Sequence, residues 1–224
     1  MARRVDPERH EARRLQIIMA GLTVLAERGY EGATTAAICR EAGIGSGTFF
    51  HYFATKTELV LAILELGTAE TVEKAAGLEG RTDPLAVLLE LLGSWADDAA
   101  DPRIPGFVRA VAGVMHLPAV ADALAADDRA QRDLLLPWVE RGQAAGAVRT
   151  DLPPARIASW LALLSGGFLE RVATDPDFTV DGERDLLLAT ARTFLTDGAS
   201  EGPRRGQPDG EGPSVHGSFA GSAR

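Results

Sequence analysis

Residues 34–56 read TTAAICREAGIGSGTFFHYFATK. Two threonines open a short helical stretch in which Ile38 and Ala42 share a face, and Gly43 ends it. Ser46 is expected to cap a third helix, GTFFHYF, and Thr55 to cap a fourth beginning at Lys56. Helices this short are marginal alone in water, so they must pack on one another. Gly43 supplies the sharp turn that carries the third helix across the second, which predicts a helix-turn-helix. Phe49 and Phe53 stand four apart and take one face together, directed at Ile18, Leu22 and Ile38.

That choice leaves Ser46, Thr48, Phe50, His51 and Tyr52 around the remaining surface. Small residues at the start and rings further on suit a helix that enters a major groove, where side chains reach base edges and backbone amides approach phosphate. Lys56, past the helix end, is placed for a backbone phosphate. Gly45 and Gly47 make the helix a poor one intrinsically, at about 1 kcal/mol each against alanine, so packing has to order it.

Charge supports a division of labour. The chain has 224 residues and a formal net charge of −9, which alone argues against a nucleic-acid partner. Residues 1–60 nevertheless carry eight Lys+Arg against seven Asp+Glu, so the acidic excess lies in the rest of the chain. Five arginines against three acids in the first fourteen residues give a basic tip. Nucleic-acid binding therefore stays open for the head alone.

Outside the quoted stretch, helical periodicity dominates and no segment alternates as a strand does. Asp6-Pro7 starts a first helix with Leu15, Ile18, Leu22 and Leu25 on its apolar face, closed at Arg28-Gly29. Leu59, Ile63 and Leu66 stripe the fourth helix. Asp83-Pro84 starts another, carrying Leu85, Leu88, Leu89, Leu92 and Trp95. A segment from Pro105 to about Leu117 is bounded by prolines, and a helix from about 127 to 145 should kink or break at Pro137. Further helices are expected from Pro153-Pro154 and from about 181 to 195. After Asp197 the last 27 residues hold seven glycines and three prolines, a composition that cannot offset its ordering entropy, so residues 198–224 read as a disordered tail.

The run from Thr34 through Lys56, with Glu58-Leu59 behind it, resembles the DNA-binding domain of the TetR family of bacterial transcriptional regulators. The matching residues are Thr35, the turn Ala42-Gly43-Ile44-Gly45, Thr48 to Phe53, and Lys56 with Leu59; the match is free of gaps over residues 12–60. Residues 142–168 are similar to the stretch that precedes the dimerisation helices in many members. The resemblance implies an all-α chain of about nine helices: a helix-turn-helix head over residues 1–54, and a ligand-binding and dimerisation body over residues 55–197. It implies that Thr35 and Lys56 bind phosphates and that Thr48, His51 and Tyr52 face the operator. Many members have tyrosine where this chain has Phe50, so a hydroxyl contact to phosphate is lost here, or Phe50 packs on a sugar or a thymine methyl. Helices at about 153–173 and 181–197 of two subunits would form a four-helix interface. A cytoplasmic, homodimeric transcriptional repressor that binds double-stranded operator DNA and is released from it by a small-molecule effector is the function so implied. The alternative is a helical ligand-binding or interaction protein whose head has lost DNA binding.

Other chemistries find less support. GIGSG is not GxGxxG, lacks a following Lys-Ser/Thr and follows a helix, so it is no phosphate loop. The four histidines, at 10, 51, 116 and 216, and the single cysteine, Cys39, have no metal-ligand spacing. No GxSxG or comparable catalytic grouping occurs. No enzyme activity, cofactor, metal or membrane span is expected. Trp95, Phe107, Met115, His116 and Trp138, on body helices interrupted by prolines, are the candidate effector contacts.

Overall fold

A computed structural model describes residues 7–197, and nine helices with no strand fill them. The head comprises α1 (Pro7–Gly32), α2 (Thr35–Glu41) and α3 (Ser46–Tyr52). The body comprises α4 (Lys56–Ala76), α5 (Pro84–Asp98), α6 (Ile104–Ala112), α7 (Pro118–Ala144), α8 (Pro154–Thr174) and α9 (Val180–Thr196). Asp6 and the tail at 198–224 lie outside the described residues.

The core face of α1 is Ile17, Ile18, Leu22, Val24 and Leu25, all buried. Leu15, expected on that face, is exposed; the buried stripe is built one residue further round, on Ile17 and Val24. Gly21 lets α1 meet α4 closely, since a Cβ there would stand 2.6 Å from Leu59 Cδ2. At Gly29 the backbone turns to φ +66° and breaks the helix, as glycine without a Cβ permits. The few residues beyond it, Tyr30 included, then run back toward α4.

The turn after α2 has the hydrogen bonds of a Schellman close. The Ile44 N–H donates to the Cys39 carbonyl at 2.9 Å and the Gly43 N–H to the Arg40 carbonyl at 3.3 Å, with Gly43 at φ +63°. Gln16 Nε2 donates to the Ala42 carbonyl at 2.8 Å, pinning this turn to α1. Ser46 does not cap α3 as expected. Gly45 is the N-cap, with no side-chain bond, and Ser46 is the first helical residue. Because the chain enters the helix one residue earlier, α3 relies on packing for its order. Thr55 does cap α4, accepting from the Glu58 N–H at 3.1 Å, while Glu58 Oε2 accepts from the Ala54 N–H at 2.8 Å.

Two further helices differ from the sequence reading. α7 begins at Pro118, well before the expected start near 127, because Pro118 occupies a first-turn position where its missing N–H costs nothing. Pro137 lies inside α7 without ending it; the residue is exposed, so water can serve the carbonyl it leaves unbonded.

The apolar interior forms adjoining clusters. One gathers Ile18, Leu25, Ile38, Phe49, Phe53 and Leu59 and continues into α6 through Phe107, Ala110 and Val111. The second lies among α5, α7, α8 and α9 around Leu88, Leu92, Leu135, Ile157, Leu161 and Leu195. A smaller third cluster joins Phe168 of α8 to Val180 and Leu187 of α9. Where α1 meets α6, a Cβ on Gly106 would fall 2.3 Å from the Ala26 carbonyl oxygen, so the two backbones nearly touch. The head is thus seated on the body through α4 and α6.

Candidate nucleic-acid interface

Helix α3 sorts its side chains as the four-residue spacing requires. Phe49 and Phe53 are buried, with ring centroids 6.0 Å apart. Ser46, Thr48, Phe50 and His51 are exposed and Tyr52 is half-buried. Phe50 leaves 56% of its surface in solvent although its edge meets Phe49 at 5.4 Å. One buried edge therefore carries α3, and the opposite edge is free for another molecule.

The flanking residues are more constrained than spacing suggests. Thr34 caps α2, its Oγ1 accepting from the Ala37 N–H at 3.2 Å, and Thr35 follows half-buried in the first turn. Lys56 Nζ donates to the Tyr30 carbonyl oxygen and lies 4.0 Å from the Tyr30 ring centroid. Tyr30 Oη stands 2.9 Å from Thr57 Oγ1, either atom donating. Lys56 is thereby held by the segment beyond the α1 break; its ammonium has three donors, so the bond to Tyr30 leaves donors for a phosphate. Sequence reasoning missed Tyr30, because only the reversal at Gly29 brings it to α4.

His10 was missed because its partner lies on another helix. It stacks on Tyr52 at 4.6 Å, from a helix turn remote in sequence. Arg14, at the end of the basic tip, lies 5.9 Å from the centroid of the buried Phe53 ring and pairs with Glu11 at 3.6 Å.

The five candidate effector contacts do not converge. Phe107 is buried in the cluster shared with the head. Met115 and His116 are exposed in the turn between α6 and α7. Trp138 is buried in the second cluster, under the Arg141 guanidinium at 4.6 Å. Trp95 packs beside that cluster with its indole Nε1 buried and without a hydrogen-bond partner. Such an orphaned donor is costly unless something else accepts from it. A cleft of about 410 Å³ opens between the end of α1 and α6, with Tyr30, Gly106 and Arg109 on its walls; none of the five lines it. Arg109 Nη1, at that cleft, donates to the Ala173 carbonyl near the end of α8.

The acidic body is laced with ion pairs. Arg184 donates to Asp97 at 2.6 Å, and Arg149 to Asp151 at 2.7 Å; these bonds hold both carboxyls below the usual aspartate range. Asp101 is held low by the Arg103 guanidinium in the same way. Among the described residues, no group of three or more His, Cys, Asp or Glu is disposed to hold a metal ion, and no helix is long and apolar enough to cross a membrane.

Residues 17–63 match the family described as bacterial regulatory proteins, tetR family. The chain is 34% identical over 97 residues to the HTH-type transcriptional regulator PksA of Bacillus subtilis, an alignment that spans 41% of this chain and 46% of that regulator. It is 27% identical over 188 residues to the HTH-type transcriptional repressor AcnR of Corynebacterium diphtheriae, spanning 79% of this chain and 88% of that one. The fold is similar to that of a TetR transcription regulator from Haloarcula marismortui, with a TM-score of 0.73 at 23% identity, over 84% of this chain and 98% of the other. Residues 17–63 of the head thus match the tetR family of bacterial regulatory proteins, and the chain shares the all-helical fold of a solved TetR regulator.

Proposed function

We propose that this protein is a ligand-responsive transcriptional regulator that occupies an operator as a homodimer and leaves it when a small molecule binds the body. The observation that carries the reading is the sorting of α3: the burial of Phe49 and Phe53 turns Thr48, Phe50 and His51 outward together. In this reading residues 1–54 bind DNA, and residues 55–197 bind the effector and dimerise. Thr35 and Lys56 hold phosphates; Ser46, Thr48, His51 and Tyr52 meet base edges; Phe50, apolar and exposed, packs on a thymine methyl.

One head would bury only about 600–1,000 Å² on DNA, so two are needed for tight specific binding. Exposed apolar residues on the last two helices, Trp160 and Leu163 on α8 and Leu186 on α9, support a dimer through that face. Two recognition helices would then enter successive major grooves about 34–36 Å apart on a near-palindromic site. Release requires about 1–3 kcal/mol of coupling, which changes operator affinity roughly 5–150-fold. Helices α4 and α6 are the elements through which the body can move the head, and Trp95 Nε1 is the buried donor an effector could satisfy. A regulator that binds operator DNA in this way would act in the cytoplasm.

A gel shift at stated salt against the DNA upstream of its own coding sequence, paired with sedimentation to give the oligomeric state, tests the proposal. A retarded band from a dimer is expected. A dimer that retains a small molecule but no duplex would favour the alternative of a helical ligand-binding protein without DNA binding.

A further inference from the structure

Three rings from two helices meet at the end of the proposed reading edge. His10, early in α1, lies on the Tyr52 ring at 4.6 Å with 29° between the planes. His51 meets the same ring edge-on at 5.2 Å, and His10 stands edge-on to His51 at 6.0 Å. Tyr52 is the last residue of α3, whose N-cap offers no side-chain bond. Beyond it the chain leaves helical geometry at Phe53, with φ −138°. A side chain at the end of such a helix has several staggered rotamers open to it, and neighbouring rings decide which is filled. Here a stacked His10 and a perpendicular His51 both lie against the Tyr52 ring, so a residue of α1 restricts the orientations open to it.

We propose that His10 is a positioning residue for operator recognition, holding Tyr52 in the orientation in which its hydroxyl is offered to the duplex. The inference rests on α3 being the DNA-facing helix and extends it: part of the base preference is set from α1, outside the helix-turn-helix. Loss of the stack spreads Tyr52 over other rotamers and removes an aromatic pair, together a loss of about three- to tenfold in affinity for the preferred site.

The test is selection of bound duplexes from a randomised pool by the full chain, at one salt concentration, followed by sequencing and titration of the preferred site. Wild type, His10→Ala, His10→Phe, Tyr52→Ala and the His10→Ala/Tyr52→Ala double variant are compared, with circular dichroism and thermal midpoints as the check on folding. His10→Ala should flatten preference at the base positions that Tyr52→Ala also flattens. His10→Phe, which keeps a stacking ring, should restore preference, and the double variant should match Tyr52→Ala alone. The proposal is overturned if His10→Ala selects the same site with unchanged affinity. It is equally overturned if the loss is undiminished in the Tyr52→Ala background, or is uniform across sequences and follows the melting temperature. If the wild-type chain retains no duplex at all, the DNA-facing reading of α3 fails first, and the role of His10 falls with it.

Discussion

The Lys56 ammonium lies 4.0 Å from the centroid of the Tyr30 ring and donates to the Tyr30 carbonyl oxygen. This joins the two ends of the head: Tyr30 follows the break in α1, and Lys56 begins α4. In the proposed role, a lysine held this way would reach a phosphate without first losing the freedom of a long, mobile side chain. Lys56→Ala should therefore weaken binding to all DNA sequences alike and reduce the slope of log affinity against log salt by about 1. Gel-shift titrations at several salt concentrations measure both. Unchanged slope would mean that Lys56 serves only as a strut under Tyr30.

Gly106 and Gly21 make a paired test of how the head is seated. A Cβ at Gly106 would meet the Ala26 backbone, at 2.3 Å from its carbonyl oxygen, whereas one at Gly21 would meet the flexible end of Leu59 at 2.6 Å. Backbone cannot step aside as a leucine rotamer can. Gly106→Ala is expected to destabilise the chain by about 1–3 kcal/mol in urea unfolding, and Gly21→Ala by less. Equal losses would show that α6 is free to shift away from α1.

How far the sequence exposed these features follows from whether each rests on local or distant contacts. The helix-turn-helix was legible because the Gly43 turn, the Phe49/Phe53 spacing and the Thr55 cap all act within a few residues. Leu15 misled because a step of three or four admits two adjacent stripes, and only the packing of Ile17 and Val24 chooses between them. Pro137 carried a reliable local penalty that an exposed position lets water relieve. His10 on Tyr52 and Tyr30 under Lys56 were invisible, since each pairing depends on where a whole helix lies or reverses. The body candidates were chosen by residue type alone, and they scatter among the α6–α7 turn and two separate clusters.

Acid should loosen the body in a defined direction. Asp97, bonded by Arg184, and Asp101, bonded by Arg103, have carboxyls lowered from 3.8. A lowered folded value means that the folded chain binds fewer protons than the unfolded one. The stabilisation is thus present above the unfolded value and is lost as pH falls through it toward the folded value. Denaturation followed at descending pH should show stability declining below about pH 5. Asp97→Asn should flatten part of that decline. A decline of the same steepness in the variant would take Asp97 out of the account.

The apolar surface on α8 and α9 gives the sharpest test of the proposed dimer. Trp160, Leu163 and Leu186 are exposed by 46%, 59% and 63%, respectively. Gly166, one helical turn beyond Leu163, has open space where a Cβ would stand, so a partner helix could approach closely there. Leu163→Glu adds a charge to the middle of this surface without touching the Ile157, Leu161 and Phe168 side that faces the chain's own core. Burying that carboxylate unpaired in an interface would cost several kcal/mol, enough to shift a dimer to monomers at micromolar concentration. Sedimentation should then show a monomer with an unchanged helical circular dichroism spectrum. Affinity for a two-half-site operator should fall by more than tenfold, while a single half-site is bound as weakly as before. A variant that stays dimeric would move the two-fold interface off this face.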